Sequence, residues 1–280
     1  MSIQKVKSRI LVAEMEYMGA NVSCIDTKQG LVLIDTPYLP NEIKRWKENI
    51  AKFSNNKEVA YVINTDFHFD HCMANTILSP NVVGHDLTYK RMLKPDGTGR
   101  HLFLAKNQMV PPEVKQQVYD MALGLPRITF NKQMWLHFSD TNFELIHMGG
   151  HTEATIAIYL VEDKVLFSGD NVVSNMHPYK GQADFKQWIA ALEKILKMDV
   201  DVIIPGHGRI CGRTEVAKLL EYFREMWNRV KNLRKQGYAK EEVVKSVHEM
   251  AGYFPLDPAR VEQIKMTFDE GTARMYEQVT

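Results

Sequence analysis

Apolar positions in this chain come in short runs broken by turn formers, and the spacing within each run changes along the sequence. Residues 21–40, "NVSCIDTKQGLVLIDTPYLP", read as two strands around a turn at Lys28, Gln29 and Gly30, with Asp35 closing the second strand. From Asn41 to Phe53 the spacing becomes helical, with Ile43, Trp46, Ile50 and Phe53 on one face. "VAYVINT" is a short apolar run ending at Asp66, the pattern of a buried strand. "NVVGHD" and "FELIHMGG" predict further strands, and "ATIAIYLVEDKVLFSGD" predicts a pair turning at Glu162 and Asp163. Asp184 to Lys197 predicts an amphipathic helix presenting Phe185, Trp188, Ile189, Leu192 and Ile195. "VDVIIPGHG" is the last expected strand; helices follow from Glu215 to Gln236 and from Lys240 onward.

Strands alternating with helices predict an α/β domain over residues 1–212, with a C-terminal helical extension, 213–280, packed on the same domain. The stretch from Pro95 to Gln133 fits the alternation poorly. Its Phe103, Leu104, Met109, Val118, Tyr119, Met121 and Leu125 lie between turn signals, as in a small helical insertion with its own packing or a lid over a site. No internal repeat or low-complexity segment interrupts the chain.

Composition narrows the classes. The 280 residues are 45% hydrophobic, ample for a packed core, and 35 basic against 34 acidic residues leave a net charge of +1. That balance gives no reason to expect a nucleic acid or an anionic membrane as partner. No apolar run is long enough to span a bilayer. The opening "MSIQKVKSRILVAEMEYMGA" has its apolar residues interrupted by Glu14 and Glu16, unlike a secretion signal. Three cysteines, Cys24, Cys72 and Cys211, make no disulfide framework. Together these features lead to the expectation of a cytoplasmic protein.

The chemistry concentrates in "NTDFHFDHCMAN", residues 64–75. In extended chain alternate side chains share a face, so Asp66 and His68 converge, while Asp70 and His71 fall where the chain turns toward a helix. His151 in "GGHTEAT", Asp170 in "FSGDN" and His207 in "PGHG" also stand where strands end, each beside glycine. Any one of them alone reads as a capping or turn residue. Seven imidazoles and carboxylates at strand ends, where α/β sheets place ligands, read together as a metal site for zinc, iron or manganese. Cys72 and Cys211 lie near these residues and could bind zinc, but the donors already suffice, so both read as small buried residues; His85 and His147 read as structural. His177, Tyr179 and Lys180 follow on a loop before the long helix. Tyr179 reads as a pocket residue polarising a carbonyl; Lys180 could hold an anionic group, but reads rather as part of a solvated loop closed by Pro178 and Gly181.

The order Asp66-x-His68-x-Asp70-His71, His151, Asp170, His207, with "LIDT" at 33–36, "GGHT" at 149–152 and "PGHG" at 205–208, resembles the metallo-β-lactamase superfamily over roughly Asn21 to Gly208. The resemblance implies a four-layer αββα sandwich with a one- or two-metal site at one edge. It implies that His68 and His151 bind a first metal, that Asp70, His71 and His207 bind a second, and that Asp170 bridges them with a water or hydroxide. Two divalent ions are expected, zinc ahead of iron or manganese.

The departure is Asp66, where the family usually has histidine. Asp66 can be a ligand, a side chain too short to reach an empty or weak first position, or the mark of a retired site. As a ligand it adds one negative charge, so three carboxylates and a hydroxide balance two divalent ions. The bound water is then less acidic, and the harder donor favours iron or manganese. Related flavodiiron proteins carry a carboxylate near this motif.

The implied reaction is hydrolysis of a small-molecule ester, thioester, lactone or amide by a metal-bound hydroxide, with Asp70 as general base if its metal position is open. A secreted β-lactamase and a tRNA-processing enzyme are disfavoured by the opening sequence and the charge; a glyoxalase II-like thioesterase fits the C-terminal helices. The rival classes are a non-hydrolytic metal-binding protein and a diiron redox protein. Tyr222, Phe223, Met226, Trp227 and Val230 form a helical stripe that reads as core or, in a homodimer, as interface.

Overall fold

In the computed structural model, which describes residues 1–16, 19–106, 110–258 and 261–279, the first strands build one sheet in sequence order. They are β1 (Ser2–Val6), β2 (Ile10–Glu14), β3 (Asn21–Thr27), β4 (Gly30–Ile34), β5 (Val59–Ile63), β6 (Val82–His85) and β7 (Ile128–Phe130). Pairing is antiparallel from β1 to β4 and parallel from β4 to β7. A second sheet has the order β12-β11-β10-β9-β8. Its strands are β8 (Gln133–Phe138), β9 (Thr141–His147), β10 (Ile156–Leu160), β11 (Val165–Phe167) and β12 (Val202–Ile204), with only the β11–β12 pair parallel.

Period-two alternation sorts the apolar residues into layers. Ile10, Val12, Ile25, Val32 and Ile34 meet Phe143, Leu145, Ile156, Ile158 and Phe167 between the sheets. Their neighbours Leu11, Ala13, Cys24, Leu31 and Leu33 turn outward onto Trp46 and Ile50 of α1 (Pro40–Ser54). α1 begins on a proline, which has no N–H to leave unpaired, and ends at Asn55 in the left-handed conformation, φ 54°.

The short helices α2 (Phe69–Cys72) and α3 (Asn75–Leu78) precede β6, and α4 (Asp86–Met92) follows it. α5 (Arg100–Lys106) and α6 (Pro112–Asp120) lie inside the expected insertion. Their Leu104, Val118, Phe103 and Tyr119 pack with Tyr38, Phe69 and Met73, so the insertion rests on the segment carrying the metal-ligand candidates. Met109 lies outside the described residues.

On the second sheet's outer face, Ala157, Leu166 and Ile203 pack against Phe185, Trp188, Leu192 and Ile195 of α7 (Phe185–Lys197). Asp184 caps this helix, its carboxylate accepting the Gln187 N–H at 2.9 Å. Then come α8 (Arg213–Lys235), α9 (Lys240–Ser246) and α10 (Val261–Gln278), sharing one apolar cluster with α7. Tyr222, Phe223, Met226 and Val230 are buried in that cluster, so the stripe on α8 is core within the chain. A helix layer outside each sheet gives the expected αββα order. No helix among the described residues is long and apolar enough to cross a membrane.

Several elements were not evident from the pattern. β1 is largely exposed, with nothing buried to give it a regular period, and it is held by register with β2. β7 is only three residues long and closes one edge of the first sheet inside the segment that reads as helical. Its parallel pairing with β6 is a long-range contact that local spacing does not encode.

Candidate metal centre

β5 ends at Ile63, and the chain bends at residues 65–67 before His68, which is followed by α2. Asp66 and His68 do converge, but through this bend, in which the His68 N–H donates to Asp66 Oδ1, rather than through the extended chain expected; the turn into α2 presents Asp70 and His71. His151 follows β9, Asp170 sits in a single 3₁₀ turn after β11, and His207 follows β12. Both sheets therefore feed one edge of the sandwich.

The side chains gather into two groups, Asp66 with His68 and His151, and Asp70 with His71 and His207; within each group the donor atoms lie within 4.8 Å of one another. Asp66 Oδ2 is 3.3 Å from His68 Nδ1 and 3.8 Å from His151 Nε2. Asp70 Oδ2 is 3.4 Å from His207 Nε2. Asp170 stands between the groups: Oδ2 is 3.3 Å from His151 Nε2 and 3.4 Å from His207 Nε2, and Oδ1 is 3.3 Å from His71 Nε2. All seven sequence-predicted candidates are thus brought together.

Two of the rings, His71 and His151, are oriented from behind. His71 Nδ1 lies 2.9 Å from Asp35 Oδ2, and Asp35 in turn accepts the Thr65 N–H and hydroxyl, each at 2.7 Å. His151 Nδ1 is 3.1 Å from the Tyr179 carbonyl, which can only accept, so that nitrogen carries the proton and Nε2 faces the site. The His151 N–H donates to Asn171 Oδ1 at 2.9 Å. Asp35 is the functional residue that the sequence reading passed over as a strand closer. Its signal was its place in "LIDT", a carboxylate at a strand end like the others. Its φ of 58° is a left-handed conformation that aspartate tolerates better than most residues.

Burial works against every charge here, and the charges overcome it together. Burial alone would lower the His207 pKa, but Asp170 and Asp70 raise it to about 10. His68 is raised against burial by Asp66, whose own pKa is lowered by His68. His71, flanked by Asp170, Asp35 and Asp70, is raised strongly, whereas burial dominates at His151 and lowers it. Acid oxygens and imidazoles of this kind suit a divalent cation, whose binding displaces the ring protons.

Asp66 Oδ2, His71 Nε2 and Asp170 Oδ1 are buried without a hydrogen-bond partner. Such groups are costly unless something satisfies them. A cation between them does so, and the donor set fits one. Backbone spacing also keeps room for the carboxylate between the groups: a Cβ on Gly206 would stand 1.9 Å from Asp170 Oδ1.

Around the site, the Tyr179 ring lies 6.1 Å from both the His68 and His151 rings and is 42% exposed. Its hydroxyl folds back over Gly181, where a Cβ would come within 2.3 Å. Lys180 departs from the solvated loop expected of it. It is 1% exposed, its amine 3.3 Å from the Tyr222 hydroxyl and 4.9 Å from the centre of the Phe268 ring. Gly271 of α10 leaves space for its stem, which no local sequence signal announces. Burial brings its pKa down to about 7. His177 is tied to the Ala251 carbonyl at 2.6 Å and turns away among Tyr222, Phe254 and Phe268.

His85 and His147 stack at 3.9 Å and bond to the Asn131 and Glu153 carbonyls, a structural pair. Cys72 is buried and Cys211 half-buried, and neither belongs to the two donor groups.

A family model described as the metallo-beta-lactamase superfamily matches residues 17–207. A linear primary-alkylsulfatase of Pseudomonas sp. (strain ATCC 19151) is 23% identical over 277 residues, covering 82% of this chain and 51% of that protein. The sec-alkylsulfatase Pisa1 of Pseudomonas sp. superposes with a TM-score of 0.72 at 18% identity, over 97% of this chain and 50% of that one. A metallo-beta-lactamase from Pontibacter korlensis gives 0.60 at 21% identity, over 80% of this chain and 98% of that one. The two superpositions are likenesses of fold. The chain spans about half the length of the first curated relatives it matches.

Proposed function

Since the chain belongs to the metallo-beta-lactamase superfamily, we propose that it is a metal-dependent hydrolase of a small molecule bearing an ester, thioester, lactone or amide bond, acting at a centre of two divalent ions. The observation that carries this reading is the pair of converging donor groups with buried, unsatisfied Asp66, His71 and Asp170 atoms at their meeting point. Asp66, His68 and His151 would hold one ion, Asp70, His71 and His207 the other, and Asp170 both. Zinc is the first expectation, with iron or manganese next. Bound there, such ions supply Lewis acidity and lower the pKa of water enough for attack near neutral pH.

The chain's own groups do the rest. Asp35 and the Tyr179 carbonyl orient His71 and His151 with their Nε2 atoms inward. Asp70 would act instead as general base toward the attacking water if its metal position is empty. Tyr179, exposed beside His68 and His151, forms one wall of the mouth, and a turn of its side chain brings the hydroxyl round to donate to the substrate's carbonyl oxygen. Phe69 and Phe103, their rings 4.9 Å apart, pack the insertion against the segment that carries Asp70 and His71.

A sulfate ester is the second substrate class, favoured by one observation: the likeness to an alkylsulfatase takes in 97% of this chain, C-terminal helices included. The test is a panel of aryl esters, thioesters, lactones, amides and alkyl sulfates, assayed before and after chelation. Turnover in one class, lost with chelator and restored by metal, is the expected result. A metal-loaded protein inert on every class would overturn the hydrolase reading and leave a non-hydrolytic or diiron redox protein.

A further inference from the structure

We propose that Asp66 makes the two metal positions alike, so that both fill with the same ion in a single step and zinc loses part of its usual advantage over manganese and iron(II). The inference rests on the metal centre proposed above and concerns its selectivity.

The argument begins with the two oxygens of Asp66. Oδ1 accepts the His68 N–H at 2.8 Å, a bond that closes a tight turn of backbone and fixes the carboxylate plane. Oδ2 is left buried, without a hydrogen bond, 3.3 Å from His68 Nδ1. Asp66 can therefore offer one oxygen only. The first group then consists of one carboxylate oxygen and two imidazole nitrogens, from His68 and His151. The second, Asp70 with His71 and His207, is also one carboxylate oxygen and two imidazole nitrogens. Asp170 lies between them, Oδ2 3.3 Å from His151 and 3.4 Å from His207, and Oδ1 3.3 Å from His71.

A histidine at residue 66 would make the first group all nitrogen and leave the second mixed, giving two unlike positions. Aspartate removes that difference in donor type and in charge at once. Two imidazoles and one carboxylate with further positions open is a donor set that iron(II) sites employ, and carboxylate oxygen suits manganese better than imidazole does. The intrinsic order of affinities still favours zinc, so the prediction concerns a ratio rather than an absolute preference.

The experiment is a titration of metal-free protein with manganese(II), followed by the electron paramagnetic resonance signal of the free ion. Zinc–manganese competition is read alongside by elemental analysis, for wild type, Asp66→His and Asp66→Asn. The wild type is expected to take up two ions in one step. In Asp66→His uptake splits into two steps, and the zinc-to-manganese ratio at equilibrium rises by about tenfold or more, since even residues behind the ligands change metal affinity that far. Asp66→Asn, nearly the same shape and so a control for folding, is expected to lose one ion. Its amide oxygen takes the His68 N–H and turns an NH₂ toward the cation. Two separated steps in the wild type, an unchanged ratio in Asp66→His, or two ions retained by Asp66→Asn would each overturn the proposal. Two like ions with no turnover on any ester would sink the hydrolase and leave this inference standing; turnover with unlike ions would do the reverse.

Discussion

Lys180→Met should make the protein more stable at neutral pH, although it removes every polar contact the lysine makes. Lys180 is almost completely buried between α8 and α10, with the Tyr222 hydroxyl at 3.3 Å and the Pro178 carbonyl at 3.4 Å as long, weak acceptors. Burial takes its pKa from 10.5 to about 7. A displacement of that size makes the charged form cost on the order of 4 kcal/mol in the folded state. The rings of Phe268 and Tyr222, 4.9 and 5.7 Å from the amine, return part of this, roughly 1 kcal/mol by the usual strength of such contacts. Methionine keeps most of the stem's volume and carries no charge. The expected gain is about 2–4 kcal/mol at pH 7. Between the folded and unfolded pKa values, about 7 and 10.5, the unfolded chain holds a proton that the folded one has released. Wild-type stability therefore rises with pH across that window, and the variant's advantage shrinks toward zero by its upper end. Urea unfolding followed by tryptophan fluorescence at pH 7, 8.5 and 10 measures this directly. A variant less stable at pH 7, or an advantage independent of pH, would refute the reasoning. Metal stoichiometry is the control: His151 leans on the Tyr179 carbonyl, which the substitution leaves in place.

Asp35→Asn keeps a residue tolerant of φ 58° but weakens the acceptor behind His71; affinity at the second position should fall about 10–100-fold, read by competition with a chelating dye. Gly206→Ala drives a methyl into Asp170 Oδ1, and elemental analysis should find neither ion retained at stoichiometric metal, in a chain whose circular dichroism is unchanged. Tyr179→Phe removes the hydroxyl but not the carbonyl that holds His151. Its kcat should fall while metal content stays constant, and unchanged turnover would end the role given to that hydroxyl.

Much of the candidate donor set was legible in the sequence because its signals are local. Asp66 and His68 stand two residues apart and meet, though through a bend rather than the extended chain that spacing suggests, and strand ends are marked by the glycines around His151, Asp170 and His207. Asp35 was harder to place because its partner is distant: it serves His71 through a contact across 36 positions of chain. The burial of Lys180 depends on Gly271, on the last helix, lacking a side chain. That is a fact about packing, invisible in a loop that reads as solvated from its prolines and glycines. Likewise β7 exists because β6 offers it an edge, not because "ITF" prefers a strand.

Neither donor group is contiguous in the chain. The first waits for His151 and the second for His207, and these follow strands of the second sheet while their companions follow β5 of the first. Each group is therefore complete only when the two sheets have come together. A domain that folds as a unit assembles both groups together, and a chain whose second sheet has not docked has neither. Any loosening of one sheet against the other would then open both groups at once.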